Sequence, residues 1–491
     1  MNPTIYLHNG IILLDTFPRT YSQSLTIKGG LVVEIDGLPP DACQRIDLDG
    51  AFAMPGLIDS HLHLVQGSSS MGDCNLSDVT SKEQFASLLL EQSAQIESGQ
   101  WLLGFGWTQE TLGSVPDATW FPNECDLPML CYRVDYHCAV LNEAALAVLP
   151  CDAIAKLTGG SQIANGIVKE DALYEGVGPH IPSMPAMYKQ RKTQQTLQNL
   201  YEKGITAIGT MEDLQDVEDV LAKLPQQQRM RICVMLLDPP STDVLRRIQQ
   251  LQEPLHILGF KAFLDGSLGS RTAKMYSDWE DTNGDGLWAG LAANDTLLAW
   301  AKKVESVGFA PAMHAIGDAA VGKALEVVQS LDDNCFARIE HAQCIADKDL
   351  QRLSGKMFGV QPLHQPADAK IALEALGSNR LNQLHNWRRM LDAGARLSFG
   401  SDWPVAEADP IAAMRVAVGC GLTVDEVIFA STKEAANSLQ LANSGSLRMG
   451  SNGDVVVLDS NPYEIDWNLA KPSVTMTILA GNIVFEKSTT A

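Results

Sequence analysis

Pro55-Gly56-Leu57-Ile58-Asp59-Ser60-His61-Leu62-His63-Leu64 reads as a short strand that carries two imidazoles. Residues two apart on a strand point to the same face, so His61 and His63 project together. Two imidazoles turned into an interior need polar partners. A divalent metal meets that need and suits imidazole. Two core histidines satisfied by carbonyls are the plainer alternative.

Outward from this strand, the chain alternates short apolar runs with helical stretches, the pattern of a parallel α/β architecture. Strands are expected at 59–64, 205–211, 231–236, 259–264, 310–315, 338–341, 358–361 and 396–400. Amphipathic helices such as 297–307 and 319–330 lie between them. Eight such units match a TIM (β/α)8 barrel, whose interior is normally filled by Val, Ile and Leu. An insertion of about 67–188 is expected after strand 1, with its own strands at 101–105 and 128–134. A Gly/Pro-rich stretch near 176–185 ends it.

The two ends of the chain read alike. Runs at 11–14, 24–27 and 31–35, with Gly29-Gly30 as a tight turn, are echoed by runs at 454–458, 474–479 and 483–485. This predicts a small β-sandwich domain formed by both termini, residues 1–54 and 444–491, around a barrel of 55–443.

The chain has 491 residues, 45% hydrophobic and 19% charged, with a net charge of −23. Disordered chains carry fewer apolar residues and a higher charge density. The acidic balance argues against nucleic acid, which needs clustered Lys and Arg. The start, Met1-Asn2-Pro3-Thr4-Ile5-Tyr6, shows no basic region followed by an apolar one, as a signal peptide would. No run of 18 apolar residues is present to span a membrane. Ten cysteines without CxxC spacing predict reduced thiols and a cytoplasmic protein. The oligomeric state is open, and a homo-oligomer is compatible with the sequence.

Other strands repeat the theme of the first. His314 ends the run 311–315, His341 ends 338–341, and Asp402 follows the run 397–400. TIM-barrel catalytic residues sit at the C-terminal ends of different strands. Four histidines and one aspartate on strands one, five, six and eight make a joint signal that one histidine alone would not. Lys261 is odder, standing in an apolar strand with Phe260, Ala262 and Leu264 on the alternate face. A buried ammonium tends to lose its proton. The neutral amine can add carbon dioxide to give a carbamate, an anion able to bridge two metals. The alternative is an ion pair with Asp265 or Asp402.

The set His61-x-His63, Lys261, His314, His341 and Asp402 resembles the metal-dependent amidohydrolase superfamily. More narrowly, the chain is similar to amidohydrolase family 3, which includes N-substituted formamide deformylases. That likeness rests on Gly106-Trp107, the segment 265–273, His314-Ala315-Ile316-Gly317-Asp318, Gln361-Pro362-x-His364 and Gly400-Ser401-Asp402-Trp403-Pro404. One departure falls at 165–170, where members often carry a longer Gly-rich segment.

The resemblance implies two divalent ions, usually zinc, bridged by a carboxylated lysine and hydroxide. His61, His63 and Asp402 would hold the first ion, His314 and His341 the second, and Lys261 would bridge them. It implies hydrolysis of a C–N bond in a small-molecule, non-peptide amide by a metal-activated hydroxide, with Asp402 as proton shuttle. His137, Arg271, His364 and Trp107 are candidate substrate contacts; for Trp107, pocket wall or core is the simpler reading. Asp265 would orient a ligand. His8, His180, His256 and His385 read as surface residues. A cyclic-amide hydrolase or deaminase of the same superfamily is the alternative. Deaminases typically place a Glu soon after the fifth-strand histidine, and Ala315-Ile316-Gly317-Asp318 has none. A non-catalytic regulatory protein on this scaffold is the third reading, but decay would erode the ligands first.

Overall fold

The computed structural model describes residues 4–70, 74–96, 99–225, 230–251 and 255–488. Eight parallel strands form its central sheet: Leu57–Leu62, Ile205–Glu212, Arg231–Leu236, His256–Phe263, Ala310–Ala315, Arg338–His341, Met357–Val360 and Arg396–Phe399. Each pairs with the next in chain order. The ring is nearly closed. Between the first and eighth strands, side chains and a loop replace the ladder: Ser60 Oγ lies 3.1 Å from Ser398 Oγ. The Asp402 N–H donates to the His61 carbonyl at 2.7 Å.

A parallel strand covered on both faces is apolar along its length, and every residue of Leu57–Leu62 is buried. Helices Leu297–Ser306, Asp318–Gln329 and Pro410–Gly419 lay their apolar faces on the ring's outside. There Ala301, Leu325 and Met414 share one core with Met313, Ile339 and Phe358. Each fully buried large side chain of this kind stabilises the fold by about 1.5–3 kcal/mol.

The strand ends differ slightly from the expectation, and the differences matter. The first strand stops at Leu62, so His63 lies just beyond it, its N–H donating to the Trp403 carbonyl at 2.8 Å. Asp402 lies past the end of the eighth strand, at φ 59°. His341 and Ala342 both have positive φ, 72° and 44°. Non-glycine residues rarely adopt that region, and such strain concentrates at functional sites.

Strands from both ends of the chain share a second, mixed eight-stranded sheet. Within it Phe52–Pro55 runs beside Ile5–Thr16 on one side and antiparallel to Val455–Leu458 on the other. Val474–Leu479 and Asn482–Glu486 continue it as a hairpin whose turn, Ala480-Gly481, has both residues at positive φ, as two-residue turns require. Between the first and second barrel strands lies a third sheet of Cys74–Asn75, Leu102–Trp107, Met129–Arg133, Cys138–Leu141 and Ile167–Lys169. Among the described residues no helix is long and apolar enough to cross a membrane.

Candidate metal centre

The ends of the first and last barrel segments are sewn together by Asp59. Its Oδ1 accepts the N–H groups of Ser401 at 3.0 Å and His61 at 3.2 Å. Burial pushes the Asp59 carboxyl up to about 6, and bonds from Ser401 and His61 restrain the rise. This stitch brings three candidate ligands together. Asp402 Oδ1 lies 3.2 Å from His61 Nε2 and 3.4 Å from His63 Nε2. On the other side Asp402 Oδ2 lies 3.9 Å from His364 Nε2.

Three of the histidines are oriented by a partner on one ring nitrogen. His61 Nδ1 meets Glu340 Oε2 at 2.7 Å, and His341 Nδ1 meets Gln361 Oε1 at 3.0 Å. His314 Nε2 meets the Gly266 carbonyl at 3.1 Å. A nitrogen that donates to an oxygen leaves the opposite ring nitrogen with its lone pair, the form a metal needs. Glu340 is itself fully buried and paired with Arg338, whose Nε is 2.8 Å from Oε1. Burial works against the Glu340 charge, but Arg338 and His61 outweigh it and hold the carboxyl below its usual range.

The electrostatics favour neutral imidazoles around one carboxylate. Burial is the largest cause lowering His63, His314, His341 and His364. Asp402 moves the other way: burial opposes its charge, yet the bonds with His61 and His63 hold it well below the ordinary carboxylate range. Lys261 is 4% exposed and burial takes its amine down to about 8. It makes no ion pair with Asp265 or Asp402; its Nζ sits 5.3 Å from the Phe263 ring centre. Asp265 instead accepts N–H groups from Lys274, Ile316 and Gly317, and its Oδ1 is 3.7 Å from His314 Nε2.

The donor set fits a divalent cation. His61 Nε2, His63 Nδ1, Lys261 Nζ and His364 Nε2 are buried polar atoms with no hydrogen-bond partner. Leaving such groups unpaired is costly unless something else satisfies them. Two groups have ligand atoms within 4.8 Å of one another: His61, His63 and Asp402, and His341, His364 and Asp402.

All of these residues but the fully buried His61 line one cavity of about 1290 Å³ at the C-terminal end of the barrel. His137 enters from the turn between Met129–Arg133 and Cys138–Leu141, its Nδ1 2.9 Å from Glu170 Oε2 and its ring centre 5.0 Å from that of His314. Burial opposes charge on His137, but Glu170 overrides it and raises the imidazole to about 9.

Two sequence readings are corrected and one is decided. Trp107 is 1% exposed and donates its Nε1–H to the Cys131 carbonyl at 2.8 Å, so it is core, as the simpler reading had it, and not a substrate contact. Arg271 turns away from the cavity to grip the Asp281 carboxylate, its Nη2 at 2.6 Å. His385, expected at the surface, is buried, because its Nε2 reaches Asp368 Oδ2 at 2.7 Å and its ring packs on Trp387. Sequence reasoning also missed Glu340, Gln361 and Glu170. Glu340 left a signal, since Arg338 and Glu340 put opposite charges on one face of a barrel strand, and Gln361 stands in the motif Gln361-Pro362-x-His364.

Comparison with known proteins agrees with this geometry. A model of the amidohydrolase family matches residues 44–485. The protein LONG AFTER FAR-RED 3 of Arabidopsis thaliana is 28% identical, over 97% of this chain and 91% of its own. The N-substituted formamide deformylase of Arthrobacter pascens is 22% identical, over 95% of each. A crystal structure of a metal-dependent hydrolase from Pyrococcus horikoshii superposes with a TM-score of 0.74 at 25% identity, over 95% of this chain and 99% of that one.

Proposed function

This chain belongs to the amidohydrolase family, and from that premise we propose that it cleaves the C–N bond of a small, non-peptide amide at a centre of two zinc ions. His61, His63 and Asp402 would hold one ion, His314 and His341 the other, and Lys261, as a carbamate, would lie between them. Bound there, the ions supply a water-derived nucleophile at neutral pH and polarise the scissile carbonyl.

The observation that carries the reading is the placing of Asp402. Its carboxylate stays ionised at neutral pH and stands between two histidine groups at the cavity floor. Asp402 takes the proton of the attacking water and passes it to the leaving nitrogen, Oδ2 being the oxygen farther from His61 and His63. Glu340 and Gln361 keep His61 and His341 in the tautomer that faces the cavity. The apolar strand around Lys261 favours the neutral amine, the form that adds carbon dioxide.

The cavity's cations bear on the substrate. Arg133 is spent on Asp135, Glu110 and Gln109, and Lys189 on Asp216. Neither is free to receive a substrate carboxylate, so an anionic substrate would have to meet His137 or Lys370, which line the same cavity. His137 and His364 line the cavity and would touch the substrate. The proposal includes a cytoplasmic location, supported by ten cysteines without CxxC spacing. It also includes a composite terminal β-domain of residues 1–54 and 444–491, built as a β-sandwich, and an insertion of about 67–188 in a barrel of 55–443.

A hydrolysis screen of N-formyl, N-acyl and cyclic amides with zinc-loaded protein tests the reading. Turnover of one class that disappears with chelator and returns with zinc is the expected result. Zinc-replete protein inert towards all three classes would count against it.

A further inference from the structure

We infer that His364 is a ligand of the second ion, alongside His341; this rests on the metal-dependent reading above. His364 ends the turn Pro362–His364 that follows the seventh barrel strand. That places it on the same rim as the other ligands, one strand beyond His341. Its Nε2 is buried, has no hydrogen-bond partner, and lies 3.9 Å from Asp402 Oδ2. His341, His364 and Asp402 each bring one ligand atom, all within 4.8 Å of one another. The rings of His341 and His364 are nearly parallel, 13° apart with centres separated by 6.5 Å, so they flank a shared space rather than stack.

The far nitrogen of His364 supplies an independent observation. The side-chain amide of Gln343 lies 3.3 Å from His364 Nδ1. With its nitrogen towards the ring, the amide leaves Gln343 Oε1 buried and unpartnered. The oxygen and nitrogen of an amide are assigned from the surrounding network. Turned over, Gln343 accepts the His364 Nδ1–H through Oε1. That rotation gives Oε1 a donor and leaves His364 Nε2 with a lone pair for an ion. The result repeats the pattern at His61 with Glu340 and at His341 with Gln361, each with an acceptor on Nδ1. A histidine that served only to touch substrate would need no such burial of its free nitrogen.

Zinc-loaded wild-type crystals, measured by anomalous diffraction at the zinc edge, decide the matter without any substitution. Two peaks are expected, one within about 2.1 Å of nitrogens from both His341 and His364. A second peak on His341 with His364 outside bonding distance overturns the inference and leaves the metal-dependent reading standing. A single peak on His61, His63 and Asp402 does the same. No peak at all overturns both. In solution, His364→Ala should hold one zinc fewer per chain by elemental analysis, while His137→Ala, a change in the same cavity, keeps the wild-type number. Equal zinc in His364→Ala and wild type would refute the assignment.

Discussion

The two walls of the cavity treat histidine in opposite ways. On the barrel wall, burial draws His63, His314, His341 and His364 towards the neutral form. On the opposite wall, burial acts in the same direction on His137, yet the imidazole is raised to about 9. The difference lies in what the nearest carboxylate has left to give. The four histidines of the barrel wall all draw on one carboxylate, Asp402. Glu170 meets His137 and, among the described residues, no other cation. Burial alone makes a ligand; burial beside an uncommitted carboxylate makes a fixed positive charge. One wall is thus built to accept cations and the other to present one.

The largest effect should come where the barrel wall is most exposed to failure. Asp402→Asn should lower kcat by about 10²–10⁴-fold, the usual cost of losing a general acid–base group. Wild-type turnover in a metal-replete Asp402→Asn protein would remove Asp402 from the chemistry.

Lys261→Ala should lose at least one ion and most activity, with partial return of both on adding a small carboxylic acid to fill the vacated position. Zinc content and rate, measured with and without the acid, give the answer. Unchanged zinc content would point to a centre assembled without the lysine.

Glu340→Gln should weaken zinc binding by about 10–100-fold, because it strips the acceptor that orients His61. Competition with a chromogenic chelator measures it.

The opposite wall should respond to pH instead. The folded pKa of His137 lies above its unfolded value, so its contribution is fully present below about 6.5 and lost as pH rises through about 9. Melting temperatures of the metal-free wild type should therefore fall across that window more steeply than those of His137→Gln. Parallel curves would mean that Glu170 does not hold the charge.

The smallest effect is expected away from both walls. Trp107→Phe should cost about 1 kcal/mol of stability through the lost bond to the Cys131 carbonyl, with kcat unchanged. A fall in kcat would bring Trp107 back to the cavity.

How much of this was legible in the sequence follows from the distance over which each feature is encoded. The two-residue period of a strand announces His61 and His63 together within a few residues, and the strand-then-polar pattern announces His314, His341 and Asp402. Burial of Lys261 was legible for the same reason, its neighbours being apolar. Nothing local marks Glu340 as the partner of His61, 279 residues away, or Glu170 as the partner of His137. His385 was misread because its burial depends on Asp368 and on a backbone turned to φ 47°, neither of which leaves a periodic trace. Trp107 and Arg271 look functional in a motif, but each is already satisfied by a neighbour that the motif does not contain.

The Asp59 stitch sets the order in which this molecule comes into being. It joins the N–H groups of His61 and Ser401, and the ligand group of His61, His63 and Asp402 spans the same seam. On the ribosome, a chain that has emerged through seven barrel strands carries His61 and His63 but has no Asp402 to set beside them. On the proposed assignment, the ion of His61, His63 and Asp402 would have no home until the last barrel segment is made and the seam closes, and uptake at that place would be a late event of biogenesis.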